Sequence, residues 1–389
     1  MTLTSSPPTT RRLLADEPPT GRLPDLDLTA LVEVAEAAGL TGRGGGGFPT
    51  ATKLRAVARS RRAVVVANAM EGEPLSHKDA VLLHHAPHLV IDGLALLARA
   101  ARAKRAILAV GPEIDPARVR AAARSRRHLE VVHLEGGGFV AGHESALVNQ
   151  LSGRRAVPSD PLVRVTESGV DGRPTLVLNA ETVAHLALAA RHGADWFREV
   201  GTPDDPGTSL FTIGGAVQHP GVVEAARGSR LADVLAGAGP VAPAAVLVGG
   251  YHGAWVPASD LDVRLTRTDL APYGASVGAG VLSVLDTHTC PIAHAADVAT
   301  FLAGESAGQC GPCLNGLPRM ADSLRRLAVG VQDEHLPAQV ARMQQLVTGR
   351  GACAHPDGTA RFVGSTMRVF RGHVRAHLEG WCPSERRRP

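Results

Sequence analysis

The sequence has few lysines, few aromatic residues and no long apolar run. Three of its 41 basic residues are lysines, and Phe, Tyr and Trp make up 3% of the 389 residues. The formal charge is only +4 and no basic helix carries interleaved aromatics, so the composition does not indicate a nucleic-acid partner. No apolar run approaches the ~18 residues that a membrane span needs.

The five cysteines of this long chain do not indicate a disulfide framework. Their number is odd, and the Pro- and Arg-containing N-terminus lacks the apolar core of a signal peptide. We therefore expect reduced thiols or metal ligands in a cytoplasmic protein. Residues 1–27 are expected to form a disordered leader.

The glycine loop, residues 42–53, is the most informative segment. Four consecutive glycines allow backbone N–H groups to converge on one ligand, because no side chain keeps that ligand away. Pro49 suits the first position of a following helix, and a helix N-terminus favours phosphate. Three flanking side chains suit a phosphorylated aromatic ligand, two by charge and one by stacking: Arg43, Lys53 and Phe48. A flexible turn is the alternative interpretation.

Short apolar runs alternate with helical patterns along the first 150 residues. Residues 63–67, 106–110 and 129–134 are predicted strands, which indicates a mainly parallel sheet with helices on its faces. Ligands of such sheets bind where loops gather at the strand ends. Residues 208–258 predict a small α+β module, and the sequence is helical from residue 293 onward.

Several further motifs, taken in order, resemble one family. They are Asn68-Ala-Met-Glu-Gly-Glu-Pro74, Phe139-Val-Ala-Gly-His-Glu-Ser-Ala-Leu147, Pro174-Thr-Leu-Val-Leu-Asn-Ala-Glu-Thr182, Gly193-Ala-Asp-Trp-Phe197 and Glu305-Ser-Ala-Gly-Gln-Cys-Gly-Pro-Cys313. The family is the flavin-bearing, NADH-oxidising F subunit of respiratory complex I, with relatives in diaphorases and hydrogenases. The resemblance covers about residues 28–380.

The resemblance implies an α/β fold with three parts. A Rossmann-like FMN-binding domain spans residues 28–205. A small β-grasp module of the SLBB type and its connection span residues 206–290. A C-terminal four-helix domain of the iron–sulfur type spans residues 291–389. This division agrees with the coarse pattern of strands and helices.

The same resemblance implies an FMN site against which NADH stacks. The ribityl-phosphate side of the flavin is assigned to Gly44, Gly45, Gly46, Gly47 and Lys53. The flavin ring, the nicotinamide and the opposite wall are assigned to Asn68, Glu71, Glu73, Gly142, Glu144, Asn179 and Thr182. Hydride transfer needs two flat rings held close in a dry slot, with carboxylates on ribose hydroxyls and backbone amides on phosphate.

The sequence departs from the family mainly in the part that grips the dinucleotide. The altered positions are Ala56, Met70, His143, Pro161 and Leu178. The glycine loop and Lys53 are retained, so FMN is expected. The residues that bind NADH are partly altered, so the donor is expected to be NADH or a related molecule.

The iron–sulfur motif lacks one cysteine. Cys310, Cys313 and the distant Cys353 match three ligands of the family's [4Fe–4S] cluster, and Ala307 replaces the first. Because four thiolates are the usual set, three alternatives stay open. The cluster persists with a non-cysteine ligand or an open iron; no metal binds; or the three thiols and His355 hold zinc.

The function expected from these motifs is that of an FMN-dependent electron-transfer flavoprotein of the diaphorase type. It would oxidise NADH or a related donor and pass electrons to an iron–sulfur or ferredoxin-like partner. Membership of a multi-subunit oxidoreductase would place it in the cytoplasm or against a membrane through a partner complex. The alternative is a non-catalytic relative that serves as a binding or assembly subunit, which the altered positions favour and the retained glycine loop disfavours.

Overall fold

The computed structural model describes residues 11–15, 23–58, 60, 62–126, 128–136, 138–160 and 162–384. The chain divides into two compact units. The first comprises residues 1–212 and 221–229, and the second comprises residues 213–220 and 230–389. The three-part division expected from the sequence stays a prediction.

The first unit alternates strands and helices, as predicted. Its elements in chain order are α1 (Leu28–Ala37), α2 (Thr50–Val57), β1 (Val64–Ala69), α3 (Lys78–His85), α4 (Pro87–Ala100), β2 (Arg105–Val110), α5 (Pro116–Ala122), β3 (Leu129–His133), α6 (Glu144–Leu151), β4 (Thr175–Asn179), α7 (Ala180–His192) and α8 (Ala194–Arg198). Strand β5 (Thr208–Gly215) begins in this unit, and β6 (Gly221–Ala226) belongs to it.

Strands β1 to β4 form a parallel sheet in the order β3-β2-β1-β4. The strands are apolar on both faces because each face is covered. Val65 and Ala67 face the larger core cluster, which includes residues of α4 and α7, and Val64 and Val66 face a second cluster that includes residues of α6. This arrangement confirms the predicted α/β class. The strand order reverses between β1 and β4.

A segment that we expected in a disordered leader is part of the first unit's core. Leu13 and Leu14 are buried, at 1% and 5% exposure. The backbone N–H groups of Arg12, Leu13 and Leu14 donate to the carboxylate of Glu224 at 2.9–3.0 Å. The expectation of disorder is therefore wrong for these residues, because a buried carboxylate satisfies their backbone donors. Residues 1–10 and 16–22 lie outside the described residues.

The second unit combines a small antiparallel sheet with helices. Its elements are α9 (Leu231–Ala236), β7 (Pro243–Val248), β8 (Ala254–Pro257), α10 (Arg267–Leu270), β9 (Val281–Asp286), α11 (Pro291–Gly304), α12 (Leu317–Ala328), α13 (Leu336–Val347), α14 (His355–Val369) and α15 (Arg371–Leu378). Strand β7 pairs with both β8 and β9. Trp255 on β8 is buried and donates its indole N–H to Thr366 Oγ1 on α14 at 2.9 Å, which joins sheet to helices.

Among the described residues, no single helix is long and apolar enough to cross a membrane. Helices α3 and α4 satisfy such a criterion only when they are taken together, and a bend of 93° separates them.

Candidate functional site

The candidate site lies at the carboxyl edge of the parallel sheet, where the strand order reverses between β1 and β4. Asn68 at the end of β1 and Asn179 at the end of β4 are register neighbours. Asn179 Nδ2 donates to the carbonyl of Asn68 at 3.3 Å, and Asn68 Nδ2 donates to the carbonyl of Gly142 at 3.0 Å. The two amides therefore connect three of the predicted loops at the position where such sheets bind ligands.

The glycine loop is closed at its base. Thr41 and Pro49 form an antiparallel bridge, and the N–H of Gly42 donates to the carbonyl of Phe48 at 2.9 Å. Helix α2 begins at Thr50, so Pro49 occupies the N-cap and not the first helical position. The closed base holds the four glycines as a defined loop, which disfavours the alternative of a flexible turn.

The glycines leave open space at the tip of this loop. A Cβ added at Gly46 would meet no atom within 4 Å. Gly45 and Gly47 have φ values of 101° and 58°, a backbone region that side chains disfavour. Phe48, next to them, is 48% exposed. A ligand can therefore approach the loop backbone closely beside an accessible aromatic ring.

Arg43 holds the glycine loop in place through both its backbone and its side chain. Its N–H donates to Thr182 Oγ1 at 2.8 Å. Its buried guanidinium donates to the carbonyls of Thr41, Pro206 and Thr208. Burial lowers the pKa of Arg43 to about 9. The sequence suggested positive charge beside the ligand, whereas the structure commits this guanidinium to backbone carbonyls.

Lys53 and Glu144 face each other across the site. Lys53 Nζ lies 3.1 Å from Glu144 Oε1 and 3.2 Å from the carbonyl of Val177. Their side chains are 28% and 34% exposed, so both stay accessible to a ligand. His143 is the N-cap of α6 beside them. Partial desolvation lowers the pKa of the exposed His143 side chain; Glu144 partly offsets this, and Lys53 adds to it.

The loop after β1 contains two carboxylates in different environments. Glu71 accepts a hydrogen bond from Ser76 Oγ at 2.6 Å and another from the N–H of Ala80 at 3.0 Å. Burial raises the pKa of Glu71, and the nearby carboxylate of Asp79 raises it further. Glu73 is partly exposed and accepts at 3.3 Å from Leu75 N. Glu71 thus orders the loop through these two hydrogen bonds.

Two glycines allow the loop after β1 to touch the loop before α6. A Cβ at Gly72 would lie 2.3 Å from the carbonyl oxygen of Phe139, and a Cβ at Gly142 would lie 2.9 Å from the carbonyl oxygen of Met70. Any larger residue at Gly72 would separate the backbones. These close approaches fix the wall formed by the two loops.

A buried cluster of charged side chains contacts Asn179 of the site. Lys78 Nζ lies 2.8 Å from Asp79 Oδ1, 2.9 Å from Glu181 Oε2 and 3.1 Å from Asn179 Oδ1. Burial alone would lower the pKa of Lys78, but Asp79 and Glu181 outweigh it and the pKa is raised. Sequence reasoning missed the role of Glu181; its place between Asn179 and Thr182 in a quoted motif was the available signal.

The altered positions lie in different surroundings. Met70 and Leu178 are buried, at 9% and 4% exposure, and belong to the apolar cores on the two faces of the sheet. Ala56 and His143 are exposed. Pro161 lies outside the described residues. Met70 therefore places a thioether in the core where an aspartate would place a charge.

The three predicted cluster cysteines lie in the second unit. Cys310 and Cys313 precede α12, and Cys353 precedes α14. Burial raises the pKa of Cys313 to about 12, with a further contribution from Cys310, and burial also raises the pKa of Cys353. Cys313 and Cys353 are therefore protonated thiols at neutral pH until a metal displaces the protons.

The zinc alternative needs the ligand atoms of Cys310, Cys313, Cys353 and His355 to gather around one ion. Among the described residues, these atoms do not form a group of three or more within 4.8 Å of one another. The arrangement disfavours zinc at this position.

The sequence matches two family models. One, the Nuo51 FMN-binding domain, matches residues 35–188, and the other, the NADH-ubiquinone oxidoreductase-F iron–sulfur binding region, matches residues 293–377. The chain is 31% identical to the F subunit of NADH-quinone oxidoreductase from Mycobacterium tuberculosis, over 92% of this chain and 86% of the relative. It is 29% identical to the HndC subunit of the NADP-reducing hydrogenase from Solidesulfovibrio fructosivorans, over 91% and 77%.

The fold is also similar to a solved chain of an NAD+-reducing [NiFe]-hydrogenase in its air-oxidised state. The TM-score is 0.83 at 33% identity, with 90% of this chain aligned. The chain spans 63% of the length of that hydrogenase chain.

Together, the FMN-binding domain and the iron–sulfur binding region define an electron-transfer flavoprotein. The resemblance seen in the sequence is thereby confirmed. The chain belongs to the family of the F subunit of NADH-quinone oxidoreductase. It is an oxidoreductase subunit, and its relatives are named as subunits of quinone-reducing and hydrogenase enzymes.

Proposed function

We propose that the chain binds FMN at the glycine loop, accepts hydride from NADH or a related donor, and passes electrons to an iron–sulfur or ferredoxin-like partner. It would act in the cytoplasm as one subunit of a larger oxidoreductase, against a membrane where the partner complex is membrane-bound. Bound FMN supplies the conversion of a two-electron hydride into single electrons. The other roles belong to this chain's own residues.

The observation that carries the proposal is the open space at Gly46. The closed base of the glycine loop, the start of α2 and the free approach to the backbone together suit a phosphate group. Lys53 supplies a point charge beside them and is held toward the site by Glu144 and the carbonyl of Val177. The ribityl-phosphate side is therefore assigned to Gly44, Gly45, Gly46, Gly47 and Lys53.

The remaining predicted residues form two groups. Asn68, Glu73, Gly142 and Glu144 are partly exposed and are assigned to the flavin ring and the donor. Arg43, Glu71, Asn179 and Thr182 are positioning residues, because their polar atoms are engaged inside the protein. Phe48, half exposed, offers an aromatic face.

The residues expected to bind the electron donor are those at which this sequence departs from the family. Met70 and Leu178 put apolar side chains in the sheet core. The ribose hydroxyls of a donor are assigned to the partly exposed carboxylates of Glu73 and Glu144.

The iron–sulfur part rests on Cys310, Cys313 and Cys353. These supply three of the usual four thiolates, so a [4Fe–4S] cluster here has a non-cysteine ligand or an open iron at the position of Ala307. Ala307 also favours a second candidate, a non-catalytic assembly subunit.

The test compares Gly46→Ala with Gly214→Ala in the full chain. Neither added methyl group meets an atom within 4 Å, so both variants should fold with unchanged melting temperatures without FMN. A methyl at Gly46 occupies the space assigned to phosphate, so FMN affinity should fall on the order of tenfold or more. Gly214→Ala should bind FMN normally. Flavin fluorescence during titration measures both.

Two results would overturn the proposal. Unchanged FMN affinity in Gly46→Ala would show that the phosphate does not bind at Gly46. Failure of the unmodified chain to bind FMN would favour the second candidate, a non-catalytic assembly subunit. With FMN bound, bleaching of the flavin absorption by NADH supports NADH as the donor, and absence of bleaching excludes it.

A further inference from the structure

A second set of metal-ligating side chains lies apart from Cys310, Cys313 and Cys353. The Cys–His–Cys cluster consists of Cys290, His377 and Cys382, and its ligand atoms all lie within 4.8 Å of one another. Cys290 is the N-cap of α11, His377 lies in the last turn of α15, and Cys382 follows α15. Three separate parts of the second unit therefore converge on one point.

The imidazole of His377 is oriented as in a metal ligand. Its Nδ1 lies 3.1 Å from the carbonyl oxygen of Leu327, so Nδ1 carries the proton and donates it to that oxygen. Its Nε2 then presents a lone pair, and it lies 3.3 Å from Cys290 Sγ. Metal-bound histidines characteristically donate the other ring N–H to a carbonyl or carboxylate in this way.

Cys290 lies at the start of a helix. Its sulfur accepts the N–H of Ala293 at 3.4 Å, at the N-terminus of a 14-residue helix. The positive end of that helix stabilises a negative sulfur. His377 and Cys382 are buried, at 4% and 8% exposure, so a metal bound here would be shielded on one side by protein.

We propose that the Cys–His–Cys cluster binds a zinc ion. A tetrahedral zinc about 2.3 Å from sulfur and about 2.0 Å from nitrogen holds those two atoms about 3.5 Å apart. The observed 3.3 Å is close to that value. Two thiolates with one imidazole form a donor set that suits zinc. Binding displaces protons from the two thiols, and they are released to solvent.

The cluster supplies three protein ligands, so the fourth position of a tetrahedral zinc is assigned to a water molecule. The bound ion would fasten the segment after α15 to the start of α11. This clasp is independent of flavin binding and of the proposed electron transfer.

Cobalt substitution in the full chain tests the proposal. The metal-free protein is titrated with Co²⁺, which reports thiolate ligands through a sulfur-to-cobalt charge-transfer band and tetrahedral geometry through its visible bands. The expected result is one cobalt per chain with both features, displaced by one equivalent of zinc. Cys290→Ser and Cys382→Ser should abolish the charge-transfer contribution of this site, and His377→Gln should weaken cobalt binding by 10- to 100-fold.

Cys310→Ser and Cys353→Ser are the matched controls, because they remove thiols from the other cysteine set. Both should retain the cobalt spectrum of the Cys–His–Cys cluster. If the spectrum disappears in Cys353→Ser but survives in Cys290→Ser, the metal belongs to the other set and the proposal is wrong.

A thiol-protection measurement avoids dependence on variants that fail to fold. In the unmodified chain, one equivalent of zinc should slow alkylation of Cys290 and Cys382 at least tenfold, as measured by peptide mass spectrometry, and a chelator should restore the rate. Equal alkylation rates with and without zinc would overturn the proposal. So would a Cys290–Cys382 disulfide that persists in excess reductant.

Discussion

At the scale of single residues, His185 illustrates how burial dominates an ionisable group. Its side chain is fully buried and packs edge-to-face against Phe197, with ring centroids 5.6 Å apart. Burial lowers the pKa of His185 to about 4; Glu181 opposes this, and Arg43 and Arg227 add to it. The histidine is therefore neutral in the folded chain at physiological pH.

The lowered pKa predicts a loss of stability in mild acid. An unfolded histidine titrates near pH 6.5, so between about pH 6.5 and 4 the unfolded chain binds a proton that the folded chain excludes. The free energy of unfolding should fall by up to about 3 kcal/mol across that range because of His185 alone. Urea denaturation at several pH values measures this loss.

The control for this prediction is a neutral amide at the same position. His185→Gln should reduce the slope of stability against pH between pH 6.5 and 4, to which His252 also contributes through its lowered pKa, whereas His219→Gln, at an exposed site, should leave that slope unchanged. An identical slope in His185→Gln and the unmodified chain would contradict the assignment.

Residue identity predicted the glycine loop, Lys53 and the three cluster cysteines, but not where each polar group points. Arg43 was expected beside the ligand, and its guanidinium instead binds carbonyls more than 160 positions away along the chain, at Pro206 and Thr208. A sequence shows that a side chain is charged but not where it points. The groups that orient the Arg43 guanidinium belong to a segment distant in the chain.

At the scale of elements, the contact between α4 and α7 depends on one glycine. A Cβ at Gly93 would lie 2.3 Å from the carbonyl oxygen of Val183. The backbone of Gly93 therefore packs directly against the backbone and side chain of Val183. Alanine is the better helix former, but here it has no room.

Gly93→Ala should consequently destabilise the first unit. The steric cost of overpacking, about 1–3 kcal/mol, exceeds the gain of about 1 kcal/mol in helix propensity. The matched control is Gly372→Ala on α15, where no atom lies within 4 Å and only the propensity gain applies. Chemical denaturation should show opposite signs for the two variants. A stabilised Gly93→Ala would mean that the helices can separate without cost.

Individual helices and strands were predictable where a local pattern of apolar residues marked them. Apolar runs such as residues 63–67 gave the parallel strands, but no local signal gives the order β3-β2-β1-β4. The N-terminal segment shows the same limit. Its Pro and Arg content indicated disorder, whereas Leu13 is buried and its N–H is bound by Glu224, more than 200 residues away.

At the scale of the whole molecule, the two compact units carry different chemistry. The first contains the glycine loop and every residue assigned to FMN, and the second contains the Cys–His–Cys cluster and the three cluster cysteines. A ligand that binds only the folded form reduces opening of the structure around it. A ligand present at 100 times its dissociation constant raises the free energy of unfolding by about 2.7 kcal/mol.

Amide hydrogen exchange should therefore show that FMN and zinc bind at different sites in the chain. FMN should slow exchange in residues 42–50 and 139–145, whose backbone forms the glycine loop and the opposite wall. Zinc should slow exchange in residues 290–294 and 374–384, which surround the Cys–His–Cys cluster. Protection of the first set by zinc alone, or of the second set by FMN alone, would contradict both assignments, because each ligand stabilises first the amides next to its own contacts.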